Sequence, residues 1–190
     1  MDIVLNKDIV ESAGARKAIG IAFFLSATVM GAFIRAPLPF TPVPVTLQTF
    51  FVLLAGAYLG ARAGASSQVL YLVLGAAGAP IFAGAACGLS ALFGPTGGYL
   101  FGFAAAAFMI GTLKRFFDGS FARMLVLFSL ASLVILLCGS LWLKAALNLP
   151  LGVSFRLGMV PFIAGDLLKA CAACLVYWRF KGGVRRLSRA

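Results

Sequence analysis

Histidine is absent from all 190 residues. Every mechanism built on imidazole is thereby excluded, including the Ser-His-Asp triad and His-ligated metal sites. Acidic residues are nearly as scarce, with 5 Asp+Glu against 16 Lys+Arg. Charged residues make up 11% of the chain, where a soluble domain carries roughly 25%. What fills the space is apolar: 62% of residues are hydrophobic and the mean hydropathy is +1.05. A soluble globular enzyme, a disordered chain and a collagen-like fibre are excluded. An all-α integral membrane protein remains.

Long stretches lack charge almost completely. From Ala36 to Leu113 the only charged residue is Arg62, and from Met124 to Gly165 there are only Lys144 and Arg156. A membrane helix needs about 20 mostly apolar residues, so six of them use about 120 and leave about 70 for loops and tails. Apolar runs and their Gly, Pro and charge punctuation predict six transmembrane helices, at about 16–35, 46–61, 63–80, 97–113, 122–147 and 160–180. They form a single transmembrane domain over 1–190. The first apolar stretch, Ala18 to Ile34, exceeds the usual 7–15 residues of a signal-peptide core and reads as an uncleaved span.

Basic residues orient the chain. With both termini cytoplasmic, Lys7, Arg16, Lys17, Arg62, Lys114, Arg115, Arg123, Arg179, Lys181, Arg185, Arg186 and Arg189 face inward. Only Arg35, Lys144 and Arg156 face outward, and Lys169 lies within a span. The positive-inside rule selects this orientation. The net charge of +11 is then explained by basic segments meeting anionic lipid, with no call for nucleic acid. All eight prolines (Pro37, Pro39, Pro42, Pro44, Pro80, Pro95, Pro150 and Pro161) fall in outer loops or at outer helix ends. Irregular backbone near a bilayer persists where protein or a water-filled cavity satisfies its polar groups. The outer half is therefore the expected working surface, over a plain inner helix bundle.

Four features carry chemistry. Asp166 and Lys169 are charges inside the last span, three residues apart and so on one helix face. They fit a ligand with a hydrogen-bonding head and an anionic tail, or neutralise each other as a structural pair. The Gly-rich segment from Phe82 through Gly84 to Gly88, followed by Gly94-Pro95-Thr96-Gly97-Gly98-Tyr99, allows either close backbone approach to a ligand or tight helix packing. It matches neither a P-loop nor a dinucleotide fingerprint. The stiff segment from Pro37 to Thr49, with Thr46 and Gln48, suits a lid or a polyproline connector. Gly14, Ala18, Ala22 and Ser26 recur every four residues on the first span. Such small residues admit a close helix, from this chain or from a partner.

Three of these stretches carry a family resemblance. Pro39-Phe40-Thr41-Pro42-Val43-Pro44-Val45-Thr46-Leu47-Gln48-Thr49, Gly94-Pro95-Thr96-Gly97-Gly98-Tyr99 and Pro161-Phe162-Ile163-Ala164-Gly165-Asp166-Leu167-Leu168-Lys169 resemble the BioY family, the biotin-binding S components of energy-coupling factor (ECF) transporters. The likeness runs in order from span one to span six. It implies a six-helix S-component bundle in the cell membrane that takes biotin from outside and has no cofactor of its own. It also implies partners, a transmembrane T component and two ATPases that use ATP. Docking through span one would fall on Ala18 and Ala22. By the same resemblance Asp166 accepts from the ureido N–H groups of biotin and Lys169 meets the valerate carboxylate, or the two ends are reversed. Phe82, Gly84, Gly88, Tyr99, Gln48 and Thr46 would line the pocket.

Three other readings compete. One is an S component for another vitamin, and one is a scaffold or assembly subunit with no ligand. The third is a membrane thiol oxidoreductase using Cys171 and Cys174 with a quinone acceptor. In an apolar helix, however, Cys behaves as a small hydrophobe.

Overall fold

The computed structural model describes residues 13–187, with side chains over 14–181. Lys7 and Arg189, counted above among the cytoplasmic cations, lie outside the described residues, as do the side chains of Arg185 and Arg186. In chain order the elements are α1 (Ala13–Phe33), β1 (Arg35–Ala36), β2 (Val45–Thr46), α2 (Gln48–Leu59), α3 (Ala61–Ala76), α4 (Gly88–Leu92), α5 (Gly97–Phe117), α6 (Phe121–Leu147) and α7 (Leu151–Gly158). A 3-10 turn, Val160–Phe162, then leads into α8 (Ile163–Leu187).

Among the described residues, four segments are long and apolar enough to cross a bilayer: Gly14–Phe33, Gly97–Phe117, Phe121–Leu147 and Leu151–Lys181, the last containing a break before α8. The second and third stretches read as spans are shorter as helices, at 12 residues for α2 and 16 for α3. At 1.5 Å per residue they reach about 18 and 24 Å. The chain is extended in β2 before α2 starts, which removes residues 46 and 47 from that helix. Gly60, at φ +80°, turns the chain straight into α3, so Arg62 lies in the first turn of α3 and not in a loop. At the far end Gly78, at φ +106°, stops α3 before residue 80. The short α2 is apolar because protein surrounds it: Val52, Leu53, Ala55 and Ala57 are fully buried.

Glycine sets how closely these helices approach. A Cβ on Gly56 would strike Ala107 and Ile110 of α5. One on Gly111 would strike the backbone of Gly60 and Ala61, and one on Gly98 would strike Trp142 and the Cys138 carbonyl. Outward-facing positions carry bulk instead, with Phe23, Val73, Phe108, Leu130, Leu168 and Leu175 exposed. A bundle clothed in large apolar side chains matches a hydrocarbon surround. The small residues Gly14, Ala18, Ala22 and Ser26 also lie on the outer face of α1 and are exposed. The side of α1 that enters the core is Phe24, Ala27, Thr28 and Ala32.

The connections differ at the two ends. All the prolines lie in or beside the connections α1–α2, α3–α4, α4–α5, α6–α7 and α7–α8, at one end of the bundle. The other end has short turns, at Gly60 and at Asp118–Ser120, where Lys181 pairs with Asp118 at 3.5 Å and Tyr177 donates to the same carboxylate at 3.1 Å. The Pro-rich segment is not a plain connector. Arg35 pairs with Thr46 and Ala36 with Val45 in a short antiparallel ribbon. The Leu47 N–H anchors it by donating to the carbonyls of Gly31 and Ile34. A second departure is α7, an eight-residue helix within the stretch read as an outer loop. Its two glycines and short length hide its period.

Gly111→Ala forces a methyl group against backbone that has no side chain to rotate away. It is expected to destabilise by about 1–3 kcal/mol, read as a lower melting midpoint of the purified protein in detergent. Gly152→Ala meets nothing within 4 Å and is the control, with an unchanged or raised midpoint.

Candidate functional site

From Phe162 of the 3-10 turn into α8 runs a heptad-like inward stripe: Phe162, Asp166, Ala170, Ala173, Cys174 and Tyr177 are buried, whereas Leu167, Leu168 and Leu175 are exposed. Asp166 therefore points into the bundle by the same periodicity that buries its apolar neighbours. It sits in the first turn of α8, where the helix dipole favours an anion. Asp166 is only 4% exposed. Lys169, three residues on, closes an ion pair with it. An isolated charge in such a place costs several kcal/mol, and pairing is what makes its burial tolerable.

The pair is tied to the ribbon. The Lys169 ammonium also donates to the Thr46 carbonyl at 3.1 Å. The Thr46 hydroxyl in turn donates to Gln48 Oε1 at 3.1 Å. Gln48 Nε2 donates to the Tyr71 hydroxyl at 2.7 Å, and that hydroxyl donates to the Ile81 carbonyl at 3.1 Å. One chain of hydrogen bonds thus joins α8, β2, α2, α3 and the segment after α3. Buried polar groups so connected fix one arrangement of the elements that bear them.

Beside this chain lies a cavity of about 320 Å³. Its polar groups include those of Arg35, Thr46, Gln48, Asp166 and Lys169, and its apolar walls include Phe82, Tyr99, Phe103 and Phe162. A mostly apolar cleft with a few convergent polar groups is the usual form of a small-molecule site. Six of the residues singled out in the sequence meet here: Asp166, Lys169, Phe82, Tyr99, Gln48 and Thr46. Tyr99 contributes its ring only, because its hydroxyl donates to the Gly158 carbonyl at 2.6 Å.

Gly84 and Gly88 are not among the lining residues. Gly84 (φ +78°) and Ala85 (φ 59°) make the tight turn that brings Phe82 opposite Ala86, and Gly88 (φ +80°) opens α4. Gly97 and Gly98 also serve packing, against Leu92, Trp142 and Cys138. Only Gly94, Pro95, Thr96 and Tyr99 of that motif reach the cavity. Ser90, the polar side chain of the Gly-rich region, lines it too.

The residue that sequence reasoning misses is Arg35. By sequence it is only one of three outer cations, and its neighbours along the chain give no hint of a cavity. The available signal is its place between the end of a span and the first proline. The cysteine pair contributes nothing here: Cys174 is buried, its thiol donates to the Phe121 carbonyl at 3.6 Å, and Cys171 and Cys174 are both free.

Known proteins share this architecture. The chain is similar to the probable biotin transporter BioY of Pyrococcus horikoshii, at 40% identity over 168 residues, covering 88% of this chain and 98% of that protein. It is 39% identical over 166 residues to the biotin transporter BioY of Thermotoga maritima, covering 87% and 96% of the two chains. A crystal structure of the S-component for biotin from an ECF-type ABC transporter superposes with a TM-score of 0.81 at 28% identity, covering 93% of each chain. Residues 6–186 match the BioY family, and the chain belongs to that family.

Proposed function

We propose that this chain is a biotin-binding S component, not an enzyme, that captures biotin in the cavity beside Asp166 and Lys169. It then delivers the vitamin for ATP-driven import by a transmembrane T component and two ATPases. The observation that carries the reading is the buried ion pair on the wall of a cavity otherwise rich in aromatic and aliphatic side chains. Biotin has a matching division of chemistry. Its bicyclic ring and thioether are apolar and suit Phe82, Phe103 and Phe162. Its ureido group offers both N–H donors and a carbonyl acceptor. Asp166 accepts from the N–H side and Lys169 donates to the carbonyl. The ammonium is already held by Asp166 and the Thr46 carbonyl, which favours this end of the ligand over the valerate contact read from sequence.

The same reading sets the membrane arrangement. Six crossings are made by α1, α2, α3, α5, α6 and α8, with the short α2 enclosed by its neighbours and α3 exposing an apolar face, Val69, Leu70, Val73 and Leu74. The proline-rich end and its cavity face outward, and both termini face the cytoplasm, as the basic residues require. In the cell membrane the exposed small residues Ala18 and Ala22 on α1 form the docking face for the T component. Their lack of bulk permits close helix contact.

Equilibrium binding of radiolabelled biotin to the detergent-purified chain tests the assignment, with thiamine and riboflavin as competitors. Biotin alone is expected to compete, and preference for either other vitamin would assign a different S component. Asp166→Asn loses a charge-assisted hydrogen bond and is expected to weaken biotin binding by at least about 1 kcal/mol; unchanged affinity in a monodisperse variant removes Asp166 from the site. Ala22→Leu is expected to abolish uptake in cells carrying the ATPases while leaving binding by the purified chain intact. Loss of binding would instead mean that this face supports the fold.

A further inference from the structure

We propose that Arg35 is the anion clamp of this site, holding the carboxylate tail of the ligand at the mouth of the cavity. The inference rests on the biotin reading and deepens it. Among the described residues that line the cavity, three are charged: Arg35, Asp166 and Lys169. The last two are paired with each other. The surplus positive charge of the site therefore belongs to Arg35, which makes no ion pair among the described residues. A neutral ligand has no use for that surplus, whereas an acid does.

The fold aims this side chain. Arg35 lies directly opposite Thr46 in the ribbon, and residues facing each other across two strands project from the same face. Thr46 carries the carbonyl that receives Lys169. Arg35 is thus held beside the polar wall, yet it is exposed where Asp166 is buried. A ligand whose head reaches Asp166 has its tail at the solvent side, within the zone of the guanidinium.

Gly84 supplies the seat. A Cβ at this position would collide with Arg35 Nη1, and would lie 2.8 Å from Cζ and 3.1 Å from Nη2. The turn that a glycine reaches easily at φ +78° also leaves space for the guanidinium to lie against it. The glycine read from sequence as a ligand contact instead seats the protein's cation, Arg35. Arg35 spans from the ribbon to the 82–86 turn, and its planar fork of N–H donors matches a carboxylate in two-point geometry.

The test compares biotin with its uncharged methyl ester on the detergent-purified full chain. Arg35→Gln keeps length and polarity but removes charge. It is expected to weaken biotin by about tenfold or more, the scale of a lost charge-assisted contact, while the ester affinity stays within about twofold. Arg35→Lys, a point charge without the fork, should fall between the two. Gly84→Ala displaces the guanidinium and should repeat the biotin-selective loss. Asp166→Asn should weaken acid and ester alike. Equal effects of Arg35→Gln on the two ligands, including no effect on either, overturn the clamp and leave the biotin assignment standing. Failure of the unaltered chain to bind biotin overturns the assignment and the clamp with it.

Discussion

A carboxylate and an ammonium buried among apolar helices must find each other or forfeit several kcal/mol each. In this molecule that requirement falls on Asp166 and Lys169, and much of the surrounding architecture answers it. Their pairing leaves the ammonium with donor capacity, and the Thr46 carbonyl takes some of it. That contact draws the ribbon onto α8. Gln48 and Tyr71 extend the connection to α2, α3 and the Ile81 carbonyl. The cavity stays open where this polar chain meets walls of Phe and Val. A ligand that completes the same hydrogen bonds can enter without leaving buried charge unsatisfied.

The two ends of the bundle solve different problems. Toward the cavity the chain is bent by proline and capped by short elements, the ribbon, α4, α7 and the 3-10 turn. The ribbon, α4 and the 3-10 turn each place side chains on the cavity wall at angles that a continuous helix does not offer. Between and below them, helices approach through Gly31, Gly56, Gly98 and Gly111, where any Cβ would collide. Backbone-to-backbone contact leaves little freedom to slide, so the cavity rests on a stiff support. At the far end Lys114 donates to the Ala57 carbonyl at 2.5 Å, and Lys181 meets Asp118. Cations near the end of α5 suit the negative pole of its dipole.

Helix existence and helix faces are legible in the sequence because their signals are local. Apolar length marks α1, α5, α6 and α8, and the three-residue spacing of Asp166 and Lys169 is enough to assign them a shared face. Membership of the BioY family is legible for a related reason, since its three motifs are contiguous strings. Less is legible where segments are short. The ribbon has two residue pairs and α7 has eight residues, too few to display a period. The second and third helices are shorter than the apolar runs that contain them, because extended backbone and positive-φ glycines intervene.

The sequence alone determined a helical chain for a lipid environment, two opposite charges on one face of its last helix, and prolines gathered at one end. Only the tertiary structure decided which glycines face a cavity and which face another helix. Gly84 and Gly88 carry the same left-handed signal, yet neither is a wall of the cavity. The structure also decided that Arg35 belongs with Asp166, 131 positions away by the numbering. Spacing along a chain encodes which side of one element a residue occupies. Contact between a ribbon, a turn and a distant helix depends on how those elements pack, and no local pattern records it.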